Sequence, residues 1–173
     1  MTVGKRSSFE RRERDFYATP REAVIPLLPH LPGRVRFIEP CAGDGRLIRW
    51  LEAEGHQCID AFDIEPQAEH IRQADALKVW PTAGNMVITN FPWGRDLLHP
   101  LLDHWRRLLP TWTLLDANWL FTRQAAPFLR YVSDVVVVGR VKWIEGSKQT
   151  GKDDSVWIRI QSEPCQTVFH NGR

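Results

Sequence analysis

Residues 35–55 read "VRFIEPCAGDGRLIRWLEAEG". A short apolar segment ends at Glu39, and a turn containing Gly43 and Gly45 follows. An amphipathic stretch then runs until Gly55 closes it. The first part has the composition of a buried strand and the last part has helical spacing, with a glycine just past its end. Strand, glycine turn and helix in this order form the opening unit of a sheet covered by helices. Gly43 and Gly45 allow sharp turning and close approach of a ligand to the backbone, and the helix start offers unpaired N–H groups. Glu39 and Asp44 flank the turn, which disfavours a pyrophosphate and suits a cationic ligand. No third glycine completes a G-x-G-x-x-G spacing, and the lysine of a phosphate loop is absent.

Outward from this unit the same alternation continues. Upstream, "TPREAVIPLL" has helical spacing, with Thr19 as cap and Pro20 at the first helical position. Downstream, "CIDAFDIEP" is a strand ending at Asp63 and Glu65, and "QAEHIRQ" is expected to be a short helix. "VITN" is a strand and "DLLHPLLDHWRRLL" a helix with Pro100 in its first turn. "TWTLLDANWLF" is expected as strand, "RQAAPFLRYV" as helix and "DVVVVGRVKWI" as strand. The polar loop "EGSKQTGKDD" leads to a last strand, "SVWIRIQ". Several strands are continuous apolar runs, as in a mostly parallel sheet buried on both faces. The final pair lacks an intervening helix, so an antiparallel hairpin is expected at the sheet edge. The fold class is α/β, doubly wound, with helices on both faces and a C-terminal antiparallel hairpin.

The chain has 173 residues, 43% hydrophobic and 25% charged, enough for one domain with its own core. Residues 1–14 are expected as a basic N-terminal segment, 15–163 as a single domain and 164–173 as a tail. Neither a signal peptide nor a membrane span is legible, which points to the cytoplasm. The three cysteines are scattered and the six histidines show no ligand spacing, so no metal is expected. No G-x-S-x-G elbow suggests a serine nucleophile. A net charge of +2 does not announce nucleic-acid binding, but basic residues cluster near the start and in the C-terminal third.

In a doubly wound sheet, ligands bind at the carboxyl ends of the strands. Asp63 lies 20 residues beyond Gly43, an offset at which a carboxylate can hold two ribose hydroxyls, with Glu65 as a second candidate. Asp75 could accept from an adenine amino group or be a surface acid. "TNFPWG" ends another strand with Asn90, Phe91, Pro92 and Trp93. Alone this favours a turn initiated by Asn-x-Pro, with Phe91 and Trp93 simply packed.

Taken together, "EPCAGDG", "FDIEP" and "TNFPWG", with "RDFYATPREAVIPLL" before them, resemble the ordered motifs of class I S-adenosylmethionine-dependent methyltransferases. Asn/Asp-x-Pro-aromatic marks members that methylate a planar amino group. The C-terminal segment is similar to the final hairpin of small phage and prophage N6-adenine DNA methyltransferases, and the resemblance runs from Asp15 to Ile160. Phe91 replaces the commoner proline, and Trp93 the commoner tyrosine or phenylalanine.

The resemblance implies a Rossmann-like fold with a seven-stranded sheet and S-adenosyl-L-methionine as cofactor. Phe16, Tyr17, Thr19, Pro20, Glu39, Pro40, Cys41, Ala42, Gly43, Gly45, Asp63, Ile64, Asp75 and Asn90 would contact the cofactor. Asn90, Phe91, Pro92 and Trp93 would be catalytic, acting on the N6 amino group of adenine in DNA. Arg12, Arg14, Trp93, Lys142, Lys148 and Lys152 would contact nucleic acid. RNA adenine, N4 of cytosine, a protein glutamine, or a non-catalytic binding module are the alternatives. No separate target-recognition domain has room here, so loose specificity, a specificity partner or a homodimer is expected.

Overall fold

A computed structural model describes residues 18–143 and 150–172. Eight strands form one sheet: β1 (Arg36–Glu39), β2 (Gln57–Asp63), β3 (Arg72–Gln73), β4 (Met86–Thr89), β5 (Thr111–Asp116), β6 (Val132–Arg140), β7 (Asp154–Ile160) and β8 (Val168–His170). Their order across the sheet is β3-β2-β1-β4-β5-β7-β6-β8. From β3 to β5 all neighbours are parallel. β7 inserts antiparallel between β5 and β6, and β8 runs parallel to β6. The helices are α1 (Arg21–Val24), α2 (Arg46–Ala53), α3 (Arg95–Leu108) and α4 (Ala126–Leu129), with 3-10 segments at Ile25–His30 and Ala117–Phe121.

The continuous apolar strands are explained by burial on both faces. Side chains alternate across a strand, so Met86 and Ile88 enter one core while Val87 enters the other. Likewise Trp157 joins Phe37, Leu51 and Trp112 on one face, whereas Ile158 joins Phe62, Leu102 and Trp105 on the opposite face. The doubly wound expectation and the antiparallel hairpin hold.

Among the described residues the sheet has eight strands instead of seven. One departure lies in "QAEHIRQ", expected as helix, where turns lead into the two-residue β3. A segment this short cannot offset helix nucleation by itself. Its backbone is instead captured by neighbours: Gln67 N–H donates to the Gly43 carbonyl at 2.9 Å and Ala74 N–H to the Asp63 carbonyl at 2.9 Å. A second departure is β8, inside the expected tail. Thr167 Oγ1 donates to the Val132 carbonyl at 2.7 Å, and His170 Nε2 lies 2.8 Å from Asp134 Oδ1, fixing β8 beside β6.

The segment "TWTLLDANWLF" is strand only to Asp116. Asp116 Oδ1 accepts from Asn118 N–H at 2.9 Å and starts the 3-10 turn. In α3, Pro100 falls beyond the first turn, and the helix continues through it.

Candidate functional site

β2, β1 and β4 are adjacent and parallel, so their carboxyl ends bring three sequence-distant segments to one edge. The turn after β1 is built on two glycines in left-handed backbone, Gly43 at φ 53° and Gly45 at φ 75°. Gly45 N–H donates to the Ala42 carbonyl at 2.7 Å, and Ala42 N–H to the Phe62 carbonyl at 3.0 Å. A Cβ on Gly45 would also stand 3.0 Å from His70 Nε2. The left-handed φ favours glycine there, and a Cβ would in addition make the exposed His70 ring give way by a few tenths of an ångström.

Asp63 closes this turn from the neighbouring strand. Its Oδ2 accepts from Gly43 N–H at 2.9 Å, and its Oδ1 from Glu65 N–H at 2.8 Å. Each carboxylate oxygen can accept more than one donor, so these bonds orient Asp63 without exhausting it. Ile64, next to it, is half exposed at 51%.

Glu39 is the buried carboxyl of the site, 2% exposed, and no hydrogen bond among the described residues reaches its Oε2. Burial pushes its carboxyl well above the usual carboxylate range, and the charges of Asp63 and Asp44 push it further. Asp44 is itself engaged, with Oδ2 2.9 Å from Arg46 Nε. A buried acceptor lacking a donor is costly, and a polar or cationic ligand would relieve that cost. The same carboxylates act on Cys41, whose thiol is raised well above its ordinary value by burial, then by Asp63, Glu39 and Asp75. Cys41 therefore stays a neutral thiol. Pro40 and Ala42 are buried beside it.

Asp75 accepts from Leu77 N–H at 3.0 Å and lies 3.2 Å from Lys78 Nζ. The Leu77 N–H and then Lys78 hold its carboxyl below the ordinary value. It is an ionised acceptor that also shapes its own turn.

At the end of β4, Asn90 Nδ2 donates to Thr19 Oγ1 at 3.3 Å, while Asn90 Oδ1 accepts from Trp93 Nε1 at 3.2 Å. The same indole N–H reaches the Leu114 carbonyl at 3.1 Å. Phe91 is buried at 1% exposure, so its ring is core. Its N–H points to Thr113 Oγ1 at 3.5 Å, and Pro92 follows outside any helix or strand. Thr19, beside Pro20, is tied to α2 by Trp50 Nε1, which donates to the Thr19 carbonyl at 3.2 Å.

The sequence reading missed Trp143. Its ring stands 5.4 Å from that of Trp93, nearly perpendicular at 88°. It packs over Gly151, whose N–H donates to the Val141 carbonyl at 2.8 Å. Eight tryptophans in the chain were the only sequence signal for it. Through this pair the C-terminal hairpin touches the end of β4, and Lys142 is the residue before Trp143. Lys142 and Lys152 are exposed. Phe16, Tyr17, Arg12, Arg14 and Lys148 lie outside the described residues. Among the described residues no group of His, Cys, Asp and Glu could hold a metal ion, and no helix is long and apolar enough to cross a membrane.

No protein-family model matches the chain, and no curated protein does. Solved structures do. A Pyrococcus horikoshii protein assigned as an RNA methyltransferase, PH1948, superposes with TM-score 0.64 at 12% identity, over 92% of each chain. The 23S rRNA methyltransferase ErmE gives 0.55 at 16% identity, over 86% of this chain and 71% of that one. The M protein of the type I restriction enzyme EcoKI gives 0.53 at 12% identity, over 88% of this chain but 47% of that one. This chain thus has the fold of class I methyltransferases and spans about half the length of the EcoKI protein.

Proposed function

We propose that this protein is an S-adenosylmethionine-dependent methyltransferase acting on the N6 amino group of adenine in DNA. The observation that carries this reading is the position of the Asn90 amide oxygen, held at the end of β4 beside the glycine turn that ends β1. On this reading the methyl donor and the acceptor for the amine would lie side by side.

The residues present suit the cofactor. Glu39, with its buried oxygen lacking a hydrogen bond among the described residues, suits a cationic or ammonium-bearing ligand. Asp63 would take ribose hydroxyls, the Gly43–Gly45 turn permits close backbone approach, and Ile64, Asp75, Thr19 and Pro20 would flank the cofactor. When bound, the cofactor supplies an electrophilic methyl group on sulfur.

An exocyclic amine on an aromatic ring is a weak nucleophile because its lone pair is delocalised. Asn90 Oδ1 and the Phe91 carbonyl would each accept one amino hydrogen and favour a pyramidal nitrogen with its lone pair free. The gain comes from positioning and preorganised acceptors, without a strong base. After transfer the nitrogen is cationic and gives up its proton readily. Pro92 fixes the backbone between the two acceptors and Trp93. A base reaching this pocket must leave its helical stack. Lys142 and Lys152 on the hairpin, with the basic N-terminal segment, would meet phosphates.

The test is incubation with methyl-labelled S-adenosylmethionine and, separately, DNA, RNA or protein extract, followed by nucleoside analysis. Label in N6-methyladenine of DNA supports the proposal, and label in protein alone defeats it. RNA adenine is the second reading, favoured by the match over nearly the full length of both chains to the protein assigned as an RNA methyltransferase.

A further inference from the structure

We propose that Trp93 is a positioning residue whose indole N–H selects the orientation of the Asn90 amide, in addition to any stacking by its ring. This rests on the methyltransferase reading above. An Asn side chain has nearly the same shape after a half-turn about its last bond, but the two orientations are chemically opposite. One presents an acceptor to a substrate amine. The other presents an NH2 group, which repels the amine hydrogens and cannot hold the nitrogen.

Thr19 does not decide between them, because a hydroxyl can donate or accept. Its Oγ1, 3.3 Å from Asn90 Nδ2, would serve either orientation. The indole N–H does discriminate, because it favours the orientation that turns the amide oxygen toward it. It is a donor only, and its one hydrogen is shared between Asn90 Oδ1 at 3.2 Å and the Leu114 carbonyl at 3.1 Å, which fixes the direction of the ring N–H. A flipped amide would place two donors against each other. The ring is held in turn by Trp143, edge to face at 5.4 Å. An amide oxygen accepts two hydrogen bonds, so the indole contact is compatible with a substrate amine on the same oxygen. Phenylalanine or tyrosine at this position could stack on a base but would have no ring N–H to aim at Asn90.

The test compares Trp93→Phe with wild type in two backgrounds, Asn90 and Asn90→Asp. In the Asn90 background, losing one orienting hydrogen bond should lower kcat roughly 10-fold while KM for the oligonucleotide and cofactor affinity change less than about 3-fold. In the Asn90→Asp background both side-chain atoms are acceptors, so the same substitution should cost less than about 3-fold in kcat. A rise in KM with unchanged kcat would assign Trp93 to stacking alone. Equal kcat losses in both backgrounds would also overturn the proposal. A second readout needs no turnover: the indole 1H–15N resonance of Trp93, identified by its loss in Trp93→Phe, should shift and exchange faster in Asn90→Ala. An unchanged resonance rules out the contact. A wild-type protein that binds cofactor but methylates no nucleic acid defeats the proposed function, while the resonance still decides the orientation.

Discussion

Asp63 at the end of β2 accepts a 2.9 Å hydrogen bond from the backbone N–H of Gly43, in the turn that ends β1. The residue expected to read a ribose is therefore also the clasp of the glycine turn, with Glu65 N–H on its second oxygen. Binding and local order are coupled in one side chain, and that makes its substitutions informative.

Replacing Asp63 by Ala should weaken cofactor binding at least about 10-fold and lower stability by roughly 1 kcal/mol, because the part-buried Gly43 N–H loses its acceptor. Asp63→Asn retains one acceptor oxygen and should be milder in stability but not in affinity. Calorimetric titration with S-adenosylmethionine, alongside thermal unfolding, separates the two losses.

Asn90→Ala should leave cofactor affinity within about 3-fold of wild type and abolish transfer, because in the proposed reaction Asn90 would act on the amine and its loss removes a preorganised acceptor. Single-turnover methylation with pre-bound labelled cofactor measures this. Equal losses of cofactor affinity in Asn90→Ala and Asp63→Ala would contradict the division of labour.

Glu39 carries a pH signature. Its folded-state pKa is raised by burial and by Asp63 and Asp44, so the folded state holds the proton more tightly than the unfolded chain. The sign follows by linkage: stability is greatest below the unfolded carboxylate value and declines as pH rises through the higher folded one. Glu39→Gln, which cannot ionise, should flatten this decline. Relative to wild type its melting temperature should improve between pH 5 and pH 8 by a few degrees, corresponding to ~1 kcal/mol. Cofactor affinity should fall in the same variant.

Gly45→Ala forces a side chain into left-handed backbone and toward His70 Nε2, 3.0 Å from the ideal Cβ position. A loss of about 1–2 kcal/mol is expected from backbone strain, seen by denaturant unfolding. Adding His70→Ala should recover only the part due to the contact.

The edge strand β8 offers a separate test. Burial by itself would raise the Asp134 carboxyl, but hydrogen bonds from His170 and Ser133 and the charge of Arg159 hold it below its ordinary value. Its stabilisation is present above the unfolded carboxylate value and fades as pH falls through the folded one. Asp134→Asn should lower the melting temperature by about 2–4 °C at pH 7, with the gap narrowing as pH drops from 5 toward 3.

The alternation of strand and helix was legible in the sequence because it is a local property. The β-branched run at Val135–Val138 and the helical spacing in residues 46–53 need no knowledge of partners, and the glycines of the turn state their backbone demand directly. The order "EPCAGDG", "FDIEP", "TNFPWG" was likewise readable. Short elements were not. "QAEHIRQ" became turns and a two-residue strand because the Gly43 carbonyl captured the N–H of its first residue and the Asp63 carbonyl that of Ala74 just beyond it, and Val168–His170 became a strand only because β6 offered an open edge. The sequence by itself determined the doubly wound class, the carboxylates at the strand ends and the presence of Asn90 and Trp93. Tertiary structure alone decided that Trp93 donates to Asn90, that Asp63 clasps Gly43, and that Trp143 closes on the site from the hairpin. Those contacts join residues 3, 20 and 50 positions apart along the chain, and direction and distance between side chains exist only once the sheet has placed them.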